Sequence, residues 1–102
     1  MPQLIVVYWR DMPAQVIIKD GRKTAKRQLP ERFEQAIDAA AMRAGKRDTD
    51  AYLAEWRKGD PEAVAGEDLE ALAEAATKRI QAEFPQDRLV ALAETGGVQP
   101  KP

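Results

Sequence analysis

The chain has 102 residues, 16 Lys and Arg against 17 Asp and Glu, a net charge of −1 and 44% hydrophobic residues. This length predicts one small domain, and the hydrophobic content argues against wholesale disorder. His, Cys, Ser and Asn are absent, which excludes Ser and Cys nucleophiles, thiol redox chemistry and thiolate or imidazole metal sites. No apolar run approaches the roughly 20 residues of a membrane span. The N-terminus lacks a signal-peptide pattern, so we expect a cytoplasmic protein.

The first third of the chain predicts a small antiparallel sheet of about three strands. Residues 4–9 form a β-branched and aromatic run that is typical of a buried strand, and residues 15–18 form a second one. Asp20-Gly21 favours a type I′ hairpin turn, which predicts a third strand over residues 22–29. The short connections predict the strand order 1-2-3, with the first strand at an edge.

That first strand is unusually apolar for an edge. It carries none of the charged residues that usually prevent unwanted pairing until Arg10. Its side chains alternate between two faces, whereas helices on one side of a sheet bury only one face. Two interpretations stay open: a later part of the same chain covers the strand, or a second copy or another protein docks against its edge.

The rest of the chain predicts three to four helices. The first begins at Pro30 and ends near Gly45, and the second begins near Asp48 and ends at residues 59–61. The third covers residues 67–84 and the fourth residues 87–94. The fold class is therefore α+β, with the helices packed on one side of the sheet. We assign residues 1–95 to this single domain and residues 96–102 to a flexible tail.

The end of the first strand is the first candidate binding surface. Trp9 offers a flat apolar face, Arg10 a forked donor and Asp11 an acceptor, and Tyr8 and Pro13 flank them. This group predicts a protein-binding surface. The alternative is that one aromatic ring fills the core while Arg10 and Asp11 form a local ion pair.

The basic segment 19–32 is the second candidate. Its residues Arg22, Lys26, Arg27 and Arg32 predict a site for a small anionic ligand or an acidic protein, and the alternative is a solvated edge strand. A net negative chain without aromatic residues between these cations is not typical of a nucleic-acid binder. Weak nucleic-acid binding through this segment therefore stays only an alternative.

Two further patterns favour structure over chemistry. Tyr52 and Trp56 lie one helical turn apart, a spacing that favours core packing over ligand binding. The acidic residues lie where exposed helix surfaces are predicted, and there is no Gly-rich phosphate loop. We expect no catalytic residues, no metal site, no cofactor and no enzymatic activity.

Several segments resemble the bacterial virulence factor domain family. The most specific is residues 5–16, with Tyr-Trp-Arg-Asp-x-Pro-Ala-Gln-Val, and residues 29–33, 40–45 and 49–56 add to it. The resemblance covers about residues 3–95 and extends to the C-terminal region of conserved virulence factor C proteins. The iron-sulfur-scaffold-like and repeat segments of those proteins have no counterpart in this sequence. The family name describes a phenotype, so no catalytic residue is carried over.

From these observations we expect a small accessory or adaptor module that acts by binding another protein, or a second copy of itself. The resemblance adds an alternative, because stand-alone members of the family often lie near genes for folate and corrinoid methyl transfer. In that case the chain would be an accessory subunit that contacts an anionic cofactor or its enzyme. The folate glutamate tail or the corrinoid phosphate would suit the basic segment.

Overall fold

The computed structural model describes residues 1–45 and 48–98. Within them the strands are β1 Gln3–Trp9, β2 Met12–Asp20, β3 Lys23–Gln28, β4 Trp56–Lys58 and β5 Glu62–Ala63. The helices are α1 Glu31–Arg43, α2 Thr49–Leu53, α3 Leu69–Glu83 and α4 Gln86–Glu94. The predicted α+β class is confirmed, and the sheet has two more strands than expected.

The sheet places β1 in its interior. The strand order is β3-β2-β1-β4, all antiparallel, and β5 also pairs with β1. Residues 56–63 return to the side of β1 that lies away from β2, with Trp9 opposite Trp56 and Leu4 opposite Glu62. The prediction of an open first-strand edge is therefore wrong, because the chain itself satisfies the backbone groups of that edge.

The same pairing shortens the predicted second helix. α2 ends at Leu53, and Trp56 already belongs to β4. The local pattern of residues 48–58 is compatible with a longer helix, but pairing with β1 adds interstrand hydrogen bonds that a helix would forfeit. Tertiary context thus overrides the local preference.

The helices cover one face of the sheet, as predicted. Leu4, Val16, Ile18 and Ala25 belong to the hydrophobic core, together with buried residues of α1, α3 and α4. On the opposite face Ile5 and Ile17 lie directly across from each other and are also buried. The apolar side chains of β1 are therefore largely enclosed within the chain, which is the first of the two interpretations given above.

A register irregularity near the end of β1 decides where Trp9 points. The pairing shifts between Val7 and Tyr8, because Ala14 is an additional residue on β2. After the shift Trp9 pairs with Met12, and both side chains are fully buried. The following residue, Arg10, adopts a left-handed conformation with φ 55°, which reverses the chain direction between β1 and β2.

The C-terminal segment is anchored under this turn. The amide of Asp11 donates to the carbonyl oxygen of Gly97 over 2.9 Å, and both Gly96 and Gly97 are buried. The first two residues of the predicted tail, Gly96 and Gly97, are thus packed against the domain. Residues 99–102 of that tail lie outside the described residues.

Candidate functional site

The end of β1 is built around a buried indole. Trp9 is fully buried, its Nε1 donates to the carbonyl oxygen of Tyr52 over 3.0 Å, and the two rings stack with centroids 5.8 Å apart. Pro13 is fully buried as well. Neither residue is available to touch a partner, so the predicted surface loses two of its members to the core.

Arg10 contacts two distant parts of the chain, at Glu55 and at Gly96. Its Nη1 donates to the carbonyl oxygen of Gly96 over 3.0 Å, and its Nε lies 3.2 Å from a carboxylate oxygen of Glu55. The guanidinium also lies 5.4 Å from the centre of the Trp9 ring. The forked donor that was predicted to bind a partner therefore forms its hydrogen bond and its ion pair within the chain.

Asp11 and Tyr8 both meet Arg57 of β4. The Arg57 Nη2 lies 3.6 Å from Asp11 Oδ1, and its guanidinium lies 4.7 Å from the centre of the Tyr8 ring. The Arg57 Nε donates to the carbonyl oxygen of Arg10 over 3.1 Å. The expected local pair between Arg10 and Asp11 is thus replaced by two longer-range pairs, with Glu55 and with Arg57.

The basic segment does not converge on one site. Arg27 faces α3 and pairs with Glu70 at 3.3 Å, whereas Lys26 lies on the opposite face of the sheet across from Ile17. Arg32 donates to the carbonyl oxygens of Phe84 over 2.7 Å and Gln81 over 3.3 Å at the end of α3. Arg22 lies in the β2–β3 turn. Strand alternation thus separates cations that are neighbours in sequence.

A cavity of about 230 Å³ lies beside Tyr52 and Trp56. The two rings meet edge to face, with centroids 5.9 Å apart and planes at 80°. Burial raises the pKa of the Tyr52 hydroxyl, and the carboxylates of Asp38 and Glu34 raise it further. The cavity is lined by Ala14, Gln15, Gln28, Leu29, Glu34, Ile37, Tyr52 and Trp56. The sequence spacing of the two rings favoured core packing over ligand binding, and no sequence signal indicated Glu34 or the two glutamines.

A second concave surface runs between α1 and α4. It is an open groove of about 350 Å³ with mostly apolar walls. Its lining residues are Arg32, Gln35, Ala36, Ala39, Arg43, Gln86, Val90, Ala93 and Glu94. Sequence reasoning missed this groove, because its two walls are more than 40 residues apart in the chain.

Neither a metal-binding group nor a membrane-spanning helix is found in the part of the chain that the structure describes. No three acidic residues come together there as a metal-binding group. In the same part, no helix has the length and apolar character needed to cross a membrane.

These features define a small α+β domain whose sheet carries helices on one face, with one concave surface between α1 and α4 and another between the sheet, α1 and α2. The model of the family described as "Virulence factor" matches residues 7–93. The chain therefore belongs to the virulence factor family, as the resemblance predicted. No curated protein and no solved structure matches it.

Proposed function

We propose that this domain is a non-catalytic accessory module that binds another protein through the groove between α1 and α4. The occupant we propose is an amphipathic helix of the partner that carries carboxylates toward its ends. Two side-by-side helices with an apolar floor are a common receptor for such a helix. The observation that carries the proposal is this exposed apolar groove with a guanidinium at each end.

The apolar part of the groove is accessible to a partner. Val90 of α4 lines the groove and is 45% exposed. The small lining residues Ala36, Ala39 and Ala93 leave room for larger side chains of a docking helix. Covering this patch would remove apolar surface from water, which is the main driving force of association.

The charges at the groove favour an acidic partner. Arg32 donates to the carbonyls of Gln81 and Phe84, and Arg43 donates to the carbonyl of Glu94 over 3.3 Å. Neither arginine is paired with a carboxylate of the described residues, so two positive charges face the single carboxylate of Glu94 on the lining. They lie about three turns apart on α1, roughly 16 Å at the helical rise. A partner helix with carboxylates at that separation would meet both.

The alternative roles have less support from the geometry. The folate or corrinoid role and weak nucleic-acid binding both depend on a basic cluster in residues 19–32. Arg27 is paired with Glu70, and the guanidinium of Arg32 is bound to carbonyl oxygens at the end of α3, so that cluster is dispersed. Binding of an acidic helix in the groove requires no such cluster.

The test combines capture from the native cell with mapping of the contact. Wild-type protein should retain a partner whose cross-linked contact segment is helical, acidic and located against α1 and α4. Val90→Glu should abolish capture, because it places a charge on the apolar floor and repels carboxylates. Leu53→Glu is the matched control, since Leu53 is 56% exposed on α2, outside the groove. Capture that survives Val90→Glu, or a contact that maps elsewhere, would overturn the proposal.

A further inference from the structure

We infer that the cavity beside Tyr52 and Trp56 is a binding site for an organic cation, specifically an alkylammonium group. The site is distinct from the α1–α4 groove. Glu34 and Ile37 reach it from one side of α1, whereas the groove uses the side that carries Gln35 and Ala39. The inference therefore does not depend on the proposed protein-binding function.

Two aromatic rings form a corner at this cavity. The Tyr52 and Trp56 rings are nearly perpendicular, at 80°, with centroids 5.9 Å apart. Tyr52 is held in place by stacking on the buried Trp9. A cation placed over the faces of such rings is attracted by their quadrupoles, and aromatic corners of this kind recognise substituted ammonium groups.

Carboxylates supply the negative charge that an ammonium group needs. Glu34 lines the cavity, and Asp38 follows one turn later on α1. Neither forms an ion pair with any residue that the structure describes. Both raise the pKa of the Tyr52 hydroxyl, after the larger effect of burial, so their field reaches the ring.

The remaining lining residues fit the same ligand. The side chains of Gln15 and Gln28 can present amide oxygens, which accept hydrogen bonds from a primary ammonium group, whereas a quaternary group such as that of choline is bound by the rings and Glu34 alone. Ala14, Leu29 and Ile37 provide an apolar surface for the attached alkyl carbons. At about 230 Å³ the cavity is smaller than a typical cofactor site. A cavity of this volume suits an alkylammonium headgroup or a single side chain.

The experiment compares choline with its uncharged isostere, 3,3-dimethylbutan-1-ol. Both are titrated into the full chain while the indole N–H signal of Trp56 is followed by NMR. We expect a saturable shift with choline in the millimolar range and at least roughly tenfold weaker binding of the alcohol, because only choline offers a cation to the rings and to Glu34. Equal affinities of the two compounds would overturn the inference, since the cavity would then be merely apolar.

Two variants separate the site from general surface charge. Glu34→Gln should weaken choline binding roughly tenfold. Glu31→Gln removes an equivalent exposed charge from the same helix, but Glu31 does not line the cavity, so choline binding should be unchanged. If both variants lose choline affinity equally, while their other backbone NMR signals stay as in the wild type, a specific site at Glu34 is contradicted.

A further titration distinguishes the two sources of an alkylammonium group. Butylammonium represents a free amine, and N-acetyl-lysine methylamide represents a lysine side chain of a protein. Tighter binding of the lysine derivative indicates a peptide ligand, and tighter binding of butylammonium indicates a free amine. Failure of both, together with failure of choline, would overturn the inference while leaving the α1–α4 groove untouched.

Discussion

The indole Nε1 of Trp9 donates a hydrogen bond of 3.0 Å to the carbonyl oxygen of Tyr52, and the two rings stack with centroids 5.8 Å apart. This contact joins the end of β1 to α2 across 43 positions of the chain. It satisfies the donor of a fully buried side chain and at the same time orients the Tyr52 ring that lines the cavity. A core contact thus positions a candidate binding residue.

We expect Trp9→Phe to reduce the free energy of unfolding by roughly 2–4 kcal/mol. The change removes buried ring atoms and leaves a cavity, and it also removes the donor to Tyr52. Urea unfolding followed by circular dichroism measures the effect. Trp56→Phe, at a half-buried position, should cost less than about half as much. A larger loss for Trp56→Phe would contradict the assignment of Trp9 as the main anchor.

Gly97→Ala should destabilise the protein much more than Gly45→Ala. Both glycines have positive φ, 88° and 74°, so both substitutions carry backbone strain. An added Cβ at Gly97 would lie 2.8 Å from Cζ3 of Trp9, whereas at Gly45 nothing lies within 4 Å. We expect about 1 kcal/mol for Gly45→Ala and at least 2 kcal/mol for Gly97→Ala, because the latter adds overpacking. Thermal unfolding of the two variants compares them directly, and similar melting temperatures would refute the close packing of Gly97 on Trp9.

Arg10→Lys should reduce stability by about 1 kcal/mol although the charge is kept. A lysine ammonium lacks the fork that holds the Gly96 carbonyl and the Glu55 carboxylate together. Arg27→Lys changes an exposed pair with Glu70 and should stay within about 0.5 kcal/mol of wild type. Chemical denaturation measures the free energy of unfolding of both variants. A value for Arg10→Lys equal to that of the wild type would show that the forked geometry of Arg10 contributes nothing to stability.

Stability should fall as pH rises above about 10, and part of this fall should depend on Tyr52. Burial, with the fields of Asp38 and Glu34, raises the pKa of its hydroxyl above the ordinary value of about 10. Above that pH the unfolded chain binds fewer protons at this residue than the folded chain, so unfolding is favoured. The stabilising contribution is complete below pH 10 and is lost as pH rises through the folded-state pKa.

Tyr52→Phe isolates this contribution, because the other alkaline groups remain in both proteins. The unfolding free energies of the two should run parallel up to about pH 10 and then diverge, with the wild type falling more steeply. Curves that stay parallel to pH 11 would contradict a raised pKa at Tyr52.

The local elements followed from the sequence, because their signals are contained within short segments. The run Leu4–Trp9 is a strand, and the apolar stripe around Phe33 and Ile37 forms a helix on the core. The hairpin between β2 and β3 is also confirmed, but its turn is Gly21-Arg22, because Asp20 still pairs with Lys23. The predicted type I′ turn is wrong, since Gly21 has a positive φ and Arg22 does not. The same information fixed the α+β class and the placement of the helices on one face of the sheet. For the candidate site, the spacing of Tyr52 and Trp56 favoured core packing, and it gave no signal for the cavity that the two rings line.

Tertiary structure alone decided which segment closes β1 and where each aromatic and charged side chain points. β4 and β5 pair with β1 from about 50 residues away, and Arg10 reaches Gly96 across 86 positions. Such contacts leave no periodic signal in the sequence, since their energy comes from pairing distant backbone groups and burying Trp9 among them. The sequence therefore determined most of the individual strands and helices, and long-range packing determined which of their surfaces stay free to bind.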